Sequence, residues 1–449
     1  MKNHYFSIFF TMIITTCLAA ACQKSSSEMD VVVQTPVLAA PAATQTTPTA
    51  TAESAVELMQ GTPLFSNGFI STSALCEPDT AGNTFLSTCA NGELTISQSA
   101  SRRKVDIALI KETPFQADAF SMTLETESTP ADAVRTDQNT YGLLFTDNSG
   151  YKHVLSISGQ FFDYETWEVS ADHGIKAIAK YNLTYAPSIK PASQVNHWRL
   201  DCSVSACEIY ANNSLAGRIP AGINGKAISI GVFAKSGWDQ LFGQVKFSNL
   251  QVFKLDDERT TDAPFSKEDP LKNESALFSE SGLSGAFNTY AADGFHFSPV
   301  IPFGNYAVKG GPALADVALE VTVRMAVDPQ ASSSRYAGLV CRSSQEGMIM
   351  AVIRADGTYS VYRDTPGRPF ALLAEKASNE IISGLNDNRL RLECIGSQIN
   401  FFINGQQVES LADTRYGLRF GRAGLFTKAG NAPNPDSVIF SDFSISEIR

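Results

Sequence analysis

The sequence contains no concentrated positive charge. Its 449 residues include 46 Asp and Glu against 35 Lys and Arg, which gives a formal net charge of −11, and no stretch gathers Lys and Arg into a patch. Binding to a nucleic acid backbone needs a concentrated positive field. We therefore expect no nucleic acid partner.

Long apolar runs, helical periodicity and the common catalytic motifs are also absent. No run after Cys22 approaches the ~18 apolar residues of a membrane helix, and no long segment repeats its apolar residues with a helical period. Nucleophile elbows, His-Glu-x-x-His, phosphate loops and Gly-rich dinucleotide turns do not occur. The scattered histidines lack metal-ligand spacing, which favours solvated or core-edge positions for His153, His173, His197 and His296.

The N-terminus carries an export signal. Lys2, an apolar run over residues 5–16 and small residues before Cys22 are typical of a secretory signal peptide, here residues 1–21. Residues 18–22 resemble the lipobox of bacterial lipoproteins, which implies a lipid on Cys22, and Gln23 then implies the outer membrane if the cell is Gram-negative. The alternative is ordinary cleavage and free secretion.

Cysteine parity favours the lipid anchor. Of eight cysteines, Cys17 leaves with the signal peptide and Cys22 takes the lipid, so six remain. An even set in an exported chain fits disulfide pairing. Residues 22–60 are rich in Ala, Thr, Ser, Pro and Gln, which predicts a disordered tether. We expect a cell-envelope protein that contacts the membrane only through this anchor.

An internal repeat divides the remaining chain. Residues 196–202 match residues 388–394, and residues 231–237 and 247–252 match residues 424–430 and 440–445 in the same order. The offsets are 388 − 196 = 192 and 424 − 231 = 193. A period this long predicts two whole domains, a first copy over residues 61–255 and a second copy over residues 274–449, joined by a charged linker over residues 256–273.

Each copy shows the pattern of short strands. Leu390, Leu392 and Cys394 alternate with polar residues, as half-buried strands do. The pair Asn404-Gly405 predicts a tight hairpin, because both turn residues must adopt positive φ. Many short strands with frequent turns predict an all-β fold of antiparallel sandwiches.

The second copy resembles a known superfamily. Leu390-Arg391-Leu392 and the segments 399–405, 422–426 and 438–445 are similar to concanavalin A-like lectin/glucanase domains, and in particular to bacterial laminin-G-like domains. The resemblance covers most of both copies and implies two tandem jelly-roll β-sandwiches. Such domains bind or cleave glycans, and some hold calcium at the sandwich rim.

Three disulfides follow from this layout. Cys202 and Cys207 flank one turn, Cys76 and Cys89 bracket a loop, and the two cysteines on predicted strands of the second copy remain for each other. We predict the pairs Cys76–Cys89, Cys202–Cys207 and Cys341–Cys394. Metal binding by these cysteines is the alternative, although no partner His or Cys lies nearby.

One carboxylate cluster in the first copy raises the question of catalysis. Asp163, Glu165 and Glu168 have the spacing of the Glu-x-Asp-x-x-Glu strand of retaining hydrolases in this superfamily, with the first two acids exchanged. The second copy has no such pair near Asp364. The favoured interpretation is a solvated strand face, and hydrolysis by the first copy is the alternative.

Aromatic residues in polar surroundings suggest a binding site. Sugars present flat C–H faces that stack on Trp and Tyr. Trp238 with Asp239 lies in a polar segment between two predicted strands, and Trp167 with Tyr164 is the next candidate. Trp198 aligns with Leu390 in the repeat and is therefore expected in the core. Asp147 and Asn148 are candidates for a calcium site, although an ordinary turn explains them equally well.

The sequence favours an exported, lipid-anchored protein that binds a glycan or another cell-surface component without catalysis and without a cofactor other than a possible structural calcium. Two alternatives stay open. One is glycoside hydrolysis by the first copy, and the other is a structural or adhesive module that packs only against proteins.

Overall fold

The computed structural model describes residues 63–67, 69, 74–76, 85–98, 107–130, 140–169, 175–220, 226–236, 242–255, 263–272, 275, 277–278, 286–299, 305–327, 335–413, 418–428 and 438–448. Apart from one short 3-10 turn at Ala74–Cys76, their regular structure consists of strands. The strands of the first copy are β1 Pro63–Asn67, β2 Phe85–Ala90, β3 Glu93–Gln98, β4 Ile107–Ala117, β5 Phe120–Thr129, β6 Thr140–Asp147, β7 Lys152–Ser158, β8 Phe161–Val169, β9 Ile175–Tyr185, β10 Asn196–Cys202, β11 Cys207–Ala211, β12 Ser214–Ile219, β13 Ala227–Lys235 and β14 Gln244–Lys254.

The remaining strands belong to the connecting segment and to the second copy. They are β15 Ser266–Asp269, β16 Ala286–Ala291, β17 Gly294–Pro299, β18 Asn305–Leu314, β19 Val317–Arg324, β20 Tyr336–Ser344, β21 Gly347–Arg354, β22 Thr358–Asp364, β23 Ala371–Ala377, β24 Asp387–Ile395, β25 Gln398–Ile403, β26 Gln406–Ala412, β27 Gly421–Lys428 and β28 Val438–Glu447.

Each copy forms an antiparallel sandwich of two sheets, as the strand pattern predicts. In the first copy, the sheet β2-β3-β14-β5-β10-β11-β12 faces the sheet β4-β13-β6-β7-β8-β9. In the second copy, β16-β17-β28-β19-β24-β25-β26 faces β18-β27-β20-β21-β22-β23. The two inner faces of each copy enclose a hydrophobic core. The all-β class of antiparallel sandwiches expected from the sequence is confirmed.

The repeated sequence blocks form the same local structure twice. Asn196 begins β10 and accepts hydrogen bonds from the backbone N–H of Lys190 (2.7 Å) and from the side chain of Asn212 (2.8 Å). Asn388, 192 residues later, accepts the equivalent bonds from Ile382 (2.8 Å) and Asn404 (3.0 Å). Both Asn212 and Asn404 have positive φ. The repeat therefore preserves a strand entry that is tied to a hairpin turn.

Local turn and cysteine predictions are confirmed. Asn404 and Gly405 form the β25–β26 turn with φ of 51° and 86°, both in the left-handed region. The three predicted disulfides are present as Cys76–Cys89, Cys202–Cys207 and Cys341–Cys394. Trp198 is 2% exposed and lies in the first core, as expected.

The segment predicted as a linker contains a strand. Residues Ser266–Asp269 form β15, which pairs antiparallel with β28. Its alternating exposed residues are polar or charged, so the sequence carries no period-two apolar signal there. Buried Asp269 fixes the following turn, because its carboxylate accepts bonds from Leu271 (2.9 Å) and Ser275. The proposed division at residues 255 and 274 stays a prediction.

The two sandwiches are joined through their cores. Gly217 on β12 pairs in parallel with Ala313 on β18. A Cβ atom on Gly217 would lie 2.9 Å from the ring of Phe162 and 3.1 Å from the ring of Phe420. Phe420, from the second copy, packs edge-on against Phe162 and Tyr181 and is part of the first core. Close approach at the junction therefore requires glycine, and residues 59–449 form one compact unit.

A buried cation also links the copies. Arg218 is 2% exposed, and its Nη1 lies 2.6 Å from Oε1 of Glu208 in the first copy. Its Nε lies 3.0 Å from Oε2 of Glu447 in the second copy, which is 5% exposed. The same Glu447 oxygen accepts the backbone N–H of Phe265 at 3.0 Å. One guanidinium thus neutralises carboxylates from both copies.

The predicted signal peptide, the lipidation site Cys22 and the whole of the predicted tether lie outside the described residues. Within the described ranges, no helix has the length and apolar character needed to cross a membrane.

Candidate functional site

Both copies have a small apolar floor on the outer face of the sheet that contains β6 or β20. In the first copy this floor is Leu144, Val154 and Phe233. In the second copy it comprises Val340, Met350, Val352 and Phe426. Leu144 pairs with Val154 and Val340 pairs with Met350, so the two floors occupy the same register. Both floors are separate from the main cores. What covers each floor decides whether the face can bind a ligand.

In the second copy, half-buried aromatic rings cover the floor. Tyr336 on β20 and Tyr362 on β22 are stacked, with ring centroids 6.1 Å apart and an interplanar angle of 15°. Phe370 continues the row, 6.3 Å from Tyr362. Each of the three side chains retains solvent-accessible surface. We call Tyr336, Tyr362 and Phe370 the aromatic platform.

Two cations flank the platform. The Arg354 guanidinium lies 5.1 Å from the centre of the Tyr336 ring and is held by Asp356 at 2.9 Å and Glu375 at 2.5 Å. The Lys428 amine lies 4.9 Å from the same ring centre and forms no ion pair with a described residue. Cations over an aromatic face are attracted by the ring quadrupole. The platform therefore combines apolar ring surface with donors for a polar ligand.

Tyr336 does not ionise in the neutral pH range. Burial, together with a hydrogen bond to Tyr362, raises the pKa of Tyr336 to about 12. Burial raises the pKa of nearby Asp364 above its usual value, and Lys309 opposes that shift. The Tyr336 hydroxyl therefore stays neutral and can both donate and accept hydrogen bonds.

In the first copy, the floor is covered by Trp167 on β8, the strand that corresponds to β22. Trp167 is 3% exposed and packs edge-on against Phe233 at 5.7 Å. Its indole N–H donates to Oε2 of Glu165 at 2.6 Å, and Lys180 lies 3.4 Å from the other oxygen of Glu165. In register, Glu165 corresponds to Tyr362 and Trp167 to Asp364. The first face is therefore closed where the second is open.

Two aromatic candidates from the sequence are buried in this arrangement. Tyr164 is 0% exposed, lies in the first core and has its hydroxyl 3.1 Å from Nδ1 of His153. Trp167 is used to cover the floor. Alternation along β8 predicts two faces but does not show which one is buried, and neither ring offers a face to a ligand here. Trp238 and Asp239 lie outside the described residues and stay predictions.

The carboxylate cluster is divided between two faces. Strand β8 pairs with β7 without a bulge, so Asp163 and Glu165 share the outer face while Glu168 belongs to the opposite one. Burial, and then the charge of Glu165, raises the pKa of Asp163 to about 6. Its Oδ1 is buried without a hydrogen-bond partner among the described residues. Two of the three acids are thus brought together.

The calcium candidates form a turn. Asp147 is fully buried, and its Oδ1 accepts backbone N–H groups from Ser149 (2.9 Å) and Tyr151 (3.0 Å). Its Oδ2 lies 3.2 Å from Nε2 of His153, while Asn148 is exposed. The described part of the chain holds no group of three or more His, Cys, Asp or Glu suited to a metal ion. A turn accounts for both residues, and calcium binding stays untested.

His153 and Asp163 give opposite pH dependences. Burial lowers the pKa of His153 below 6.5, against the opposing effect of Asp147, so the unfolded state binds more protons. Its stabilisation is present above about pH 6.5 and is lost as the pH falls, by up to about 1.4 kcal/mol per pH unit. The folded pKa of Asp163, about 6, exceeds its ordinary 3.8. Its contribution therefore grows as the pH falls through 6.

We expect His153→Gln to lose less stability than the wild type between pH 7 and 5, and Asp163→Asn to lose more. Urea unfolding at pH 5, 6 and 7 followed by Trp fluorescence measures this, because all three tryptophans lie in the first copy. Equal slopes in the three proteins would contradict the assignment.

The aromatic platform was missed by sequence reasoning. Tyr336, Tyr362 and Phe370 are widely spaced in the chain and come from a part of the second copy where no catalytic pair was found. The only available signal was the alternation of Tyr362 with buried Val361 and Arg363 in β22. Alternation does not reveal neighbours on other strands.

No protein-family model matches the chain, and no curated protein matches its sequence. Among solved structures, a carbohydrate-binding module, CBM66 from Bacillus subtilis, is 15% identical and aligns over 37% of this chain and 98% of that chain, with a TM-score of 0.29. An endo-β-galactosidase from Clostridium perfringens that releases GlcNAcα1-4Gal is 9% identical, over 85% and 96%, with a TM-score of 0.35. A Bacillus licheniformis β-glucanase is 11% identical, over 42% and 100%, with a TM-score of 0.32. These likenesses carry no conclusion about ligand or reaction.

Proposed function

We propose that the chain is an exported, non-catalytic glycan-binding protein of the bacterial cell envelope, anchored by a lipid on Cys22, and that the second copy binds sugar on the aromatic platform. The observation that carries the proposal is the stacked, half-exposed pair Tyr336 and Tyr362 on the outer face of a sheet. The three disulfides support export, because such bonds persist in oxidising compartments.

The chemistry of the platform suits a sugar ring. An aromatic face buries the C–H face of a sugar, and the flanking Lys428 and Arg354 supply donors for its hydroxyls. The first copy lacks this opening because Trp167 covers its floor. On this proposal, the second copy binds the sugar, and the first copy stabilises the two-copy unit.

Tyr362→Ala is expected to weaken glycan binding about tenfold or more. An aromatic contact contributes about 0.5–1.5 kcal/mol beyond its buried area, and 1.4 kcal/mol corresponds to tenfold. The measurement is a glycan array on the wild type, followed by titration calorimetry of the best ligand with each variant. Phe402→Ala is the matched control, because Phe402 is a half-exposed ring on the other sheet of the same copy, beneath Arg391.

The array also tests the other candidates. Trp238→Ala is included because that prediction stays open, and a loss confined to it would move the site to the first copy. If Tyr362→Ala and Phe402→Ala bind equally well, the platform is not the site. If no glycan binds at all, the glycan-binding function fails and the structural or adhesive alternative is favoured.

Glycoside hydrolysis by the first copy is the second candidate. It is favoured by one observation, the shared face of Asp163 and Glu165 together with the raised pKa of Asp163, since a general acid near neutrality is tuned in this way. The hydrogen bond from Trp167 and the ion pair with Lys180 occupy Glu165, which argues against it. Release of reducing sugar that Asp163→Asn abolishes would establish hydrolysis.

A further inference from the structure

A cavity lies at the junction of the two copies, away from the aromatic platform. It has a volume of about 430 Å³, within the range of small-ligand sites. One wall comes from the first copy, with Ser188 before β10 and Ser214 at the start of β12. The other comes from the second copy and β15, with Phe265, Lys267 and Pro312. The cavity therefore exists only when the copies are docked.

Apolar and ionic contacts between the copies hold the cavity in shape. Phe420 is inserted into the first core, and Arg218 neutralises both Glu208 and Glu447. The bulged end of β18 forms part of the wall, and Arg422 fixes it by donating to the carbonyl oxygens of Gly311 (3.2 Å) and Lys309 (3.0 Å). The lining is consequently held in place before any ligand arrives.

The charged residues that line the cavity are all basic. Its described residues include Lys267 and Arg422 and no Asp or Glu, although the whole chain carries a net charge of −11. Lys267 is half-exposed, and its amine forms no ion pair with a described residue. The nearby carboxylate of Glu447 is already neutralised by Arg218. A ligand that brings a negative charge would gain an ion pair here.

We propose that this junction cavity binds a carboxylate-bearing sugar, a hexuronate unit. The carboxylate forms an ion pair with the amine of Lys267, and the sugar ring stacks against Phe265. The sugar hydroxyls form hydrogen bonds with the hydroxyl groups of Ser188 and Ser214. The site is independent of the platform, so either can fail alone.

Titration calorimetry of the full chain with D-glucuronate, D-galacturonate and neutral D-glucose tests the proposal. We expect at least one uronate to bind at least tenfold more tightly than glucose and to weaken with added salt. Lys267→Gln should reduce uronate binding about tenfold or more, and Ser214→Trp, which fills the cavity, should abolish it. Lys254→Gln, an exposed lysine on β14, should bind as the wild type does.

Tyr362→Ala should keep uronate binding, which separates this site from the platform. The proposal is overturned if neither uronate binds, if glucose binds equally well, or if Lys267→Gln binds as tightly as Lys254→Gln. Trp fluorescence of each variant verifies that the first copy is folded.

Discussion

Arg218→Ala is expected to lower the free energy of unfolding by about 3–5 kcal/mol. Removing one partner of a buried ion pair leaves the other charge without compensation, and this costs far more than the intact pair contributes. Glu447 is only 5% exposed, and the guanidinium is the cation beside it. The change also removes the partner of Glu208 in the first copy. Urea unfolding followed by Trp fluorescence measures the loss.

Lys226→Ala provides the control. The side chain of Lys226 is 57% exposed and lies 3.7 Å from Asp118, which is 68% exposed, so its loss should cost no more than about 1 kcal/mol. A cycle with Glu447→Gln tests the cross-copy link directly, and we expect a coupling energy above about 1 kcal/mol between positions 218 and 447. Equal losses for Arg218→Ala and Lys226→Ala, or no coupling, would show that the copies are not joined electrostatically.

Replacing both Cys341 and Cys394 with Ala is expected to cost about 4 kcal/mol, against about 2 kcal/mol for the pair Cys202 and Cys207. In the loop-closure model, a disulfide restricts the unfolded chain more when it closes a longer loop. The separations are 53 and 5 residues. The longer bridge also joins β20 to β24, which lie in the two facing sheets of the second copy.

Far-UV circular dichroism during urea unfolding is the appropriate measurement for the second copy, because Trp167, Trp198 and Trp238 all lie in the first. Because removing a cross-link lets the unfolded chain expand, the m-value should rise, and it should rise more for the 53-residue loop than for the 5-residue loop. Equal losses for the two pairs would contradict the loop-length explanation and indicate that local packing around the buried sulfur atoms dominates.

Much of the fold could be read from the sequence because its signals are local. The period-two alternation of Leu390, Leu392 and Cys394 gave a strand, and Asn404-Gly405 gave a hairpin, since both depend only on neighbouring residues. β15 was not foreseen, because its edge pairing with β28 is stabilised by backbone hydrogen bonds rather than by an apolar pattern.

The site could be predicted only in part. Asp163 and Glu165 share a face as their spacing requires, but the separation of Glu168 depends on the absence of a bulge in β8. Tyr164 and Trp167 looked available for stacking, yet one is buried in the core and the other covers the floor of its own sheet.

The sequence by itself determined the β-sandwich class and the hairpin turn, because alternation and turn chemistry act over short stretches of chain. It also showed the repeat by direct comparison, and it left Cys341 and Cys394 for each other once the two nearer cysteine pairs were assigned. Only the tertiary structure decided which outer face is open. Tyr336, Tyr362 and Phe370 become neighbours through sheet register, and the junction cavity arises where β12 meets β18. Contacts between distant strands depend on packing, which no local pattern encodes.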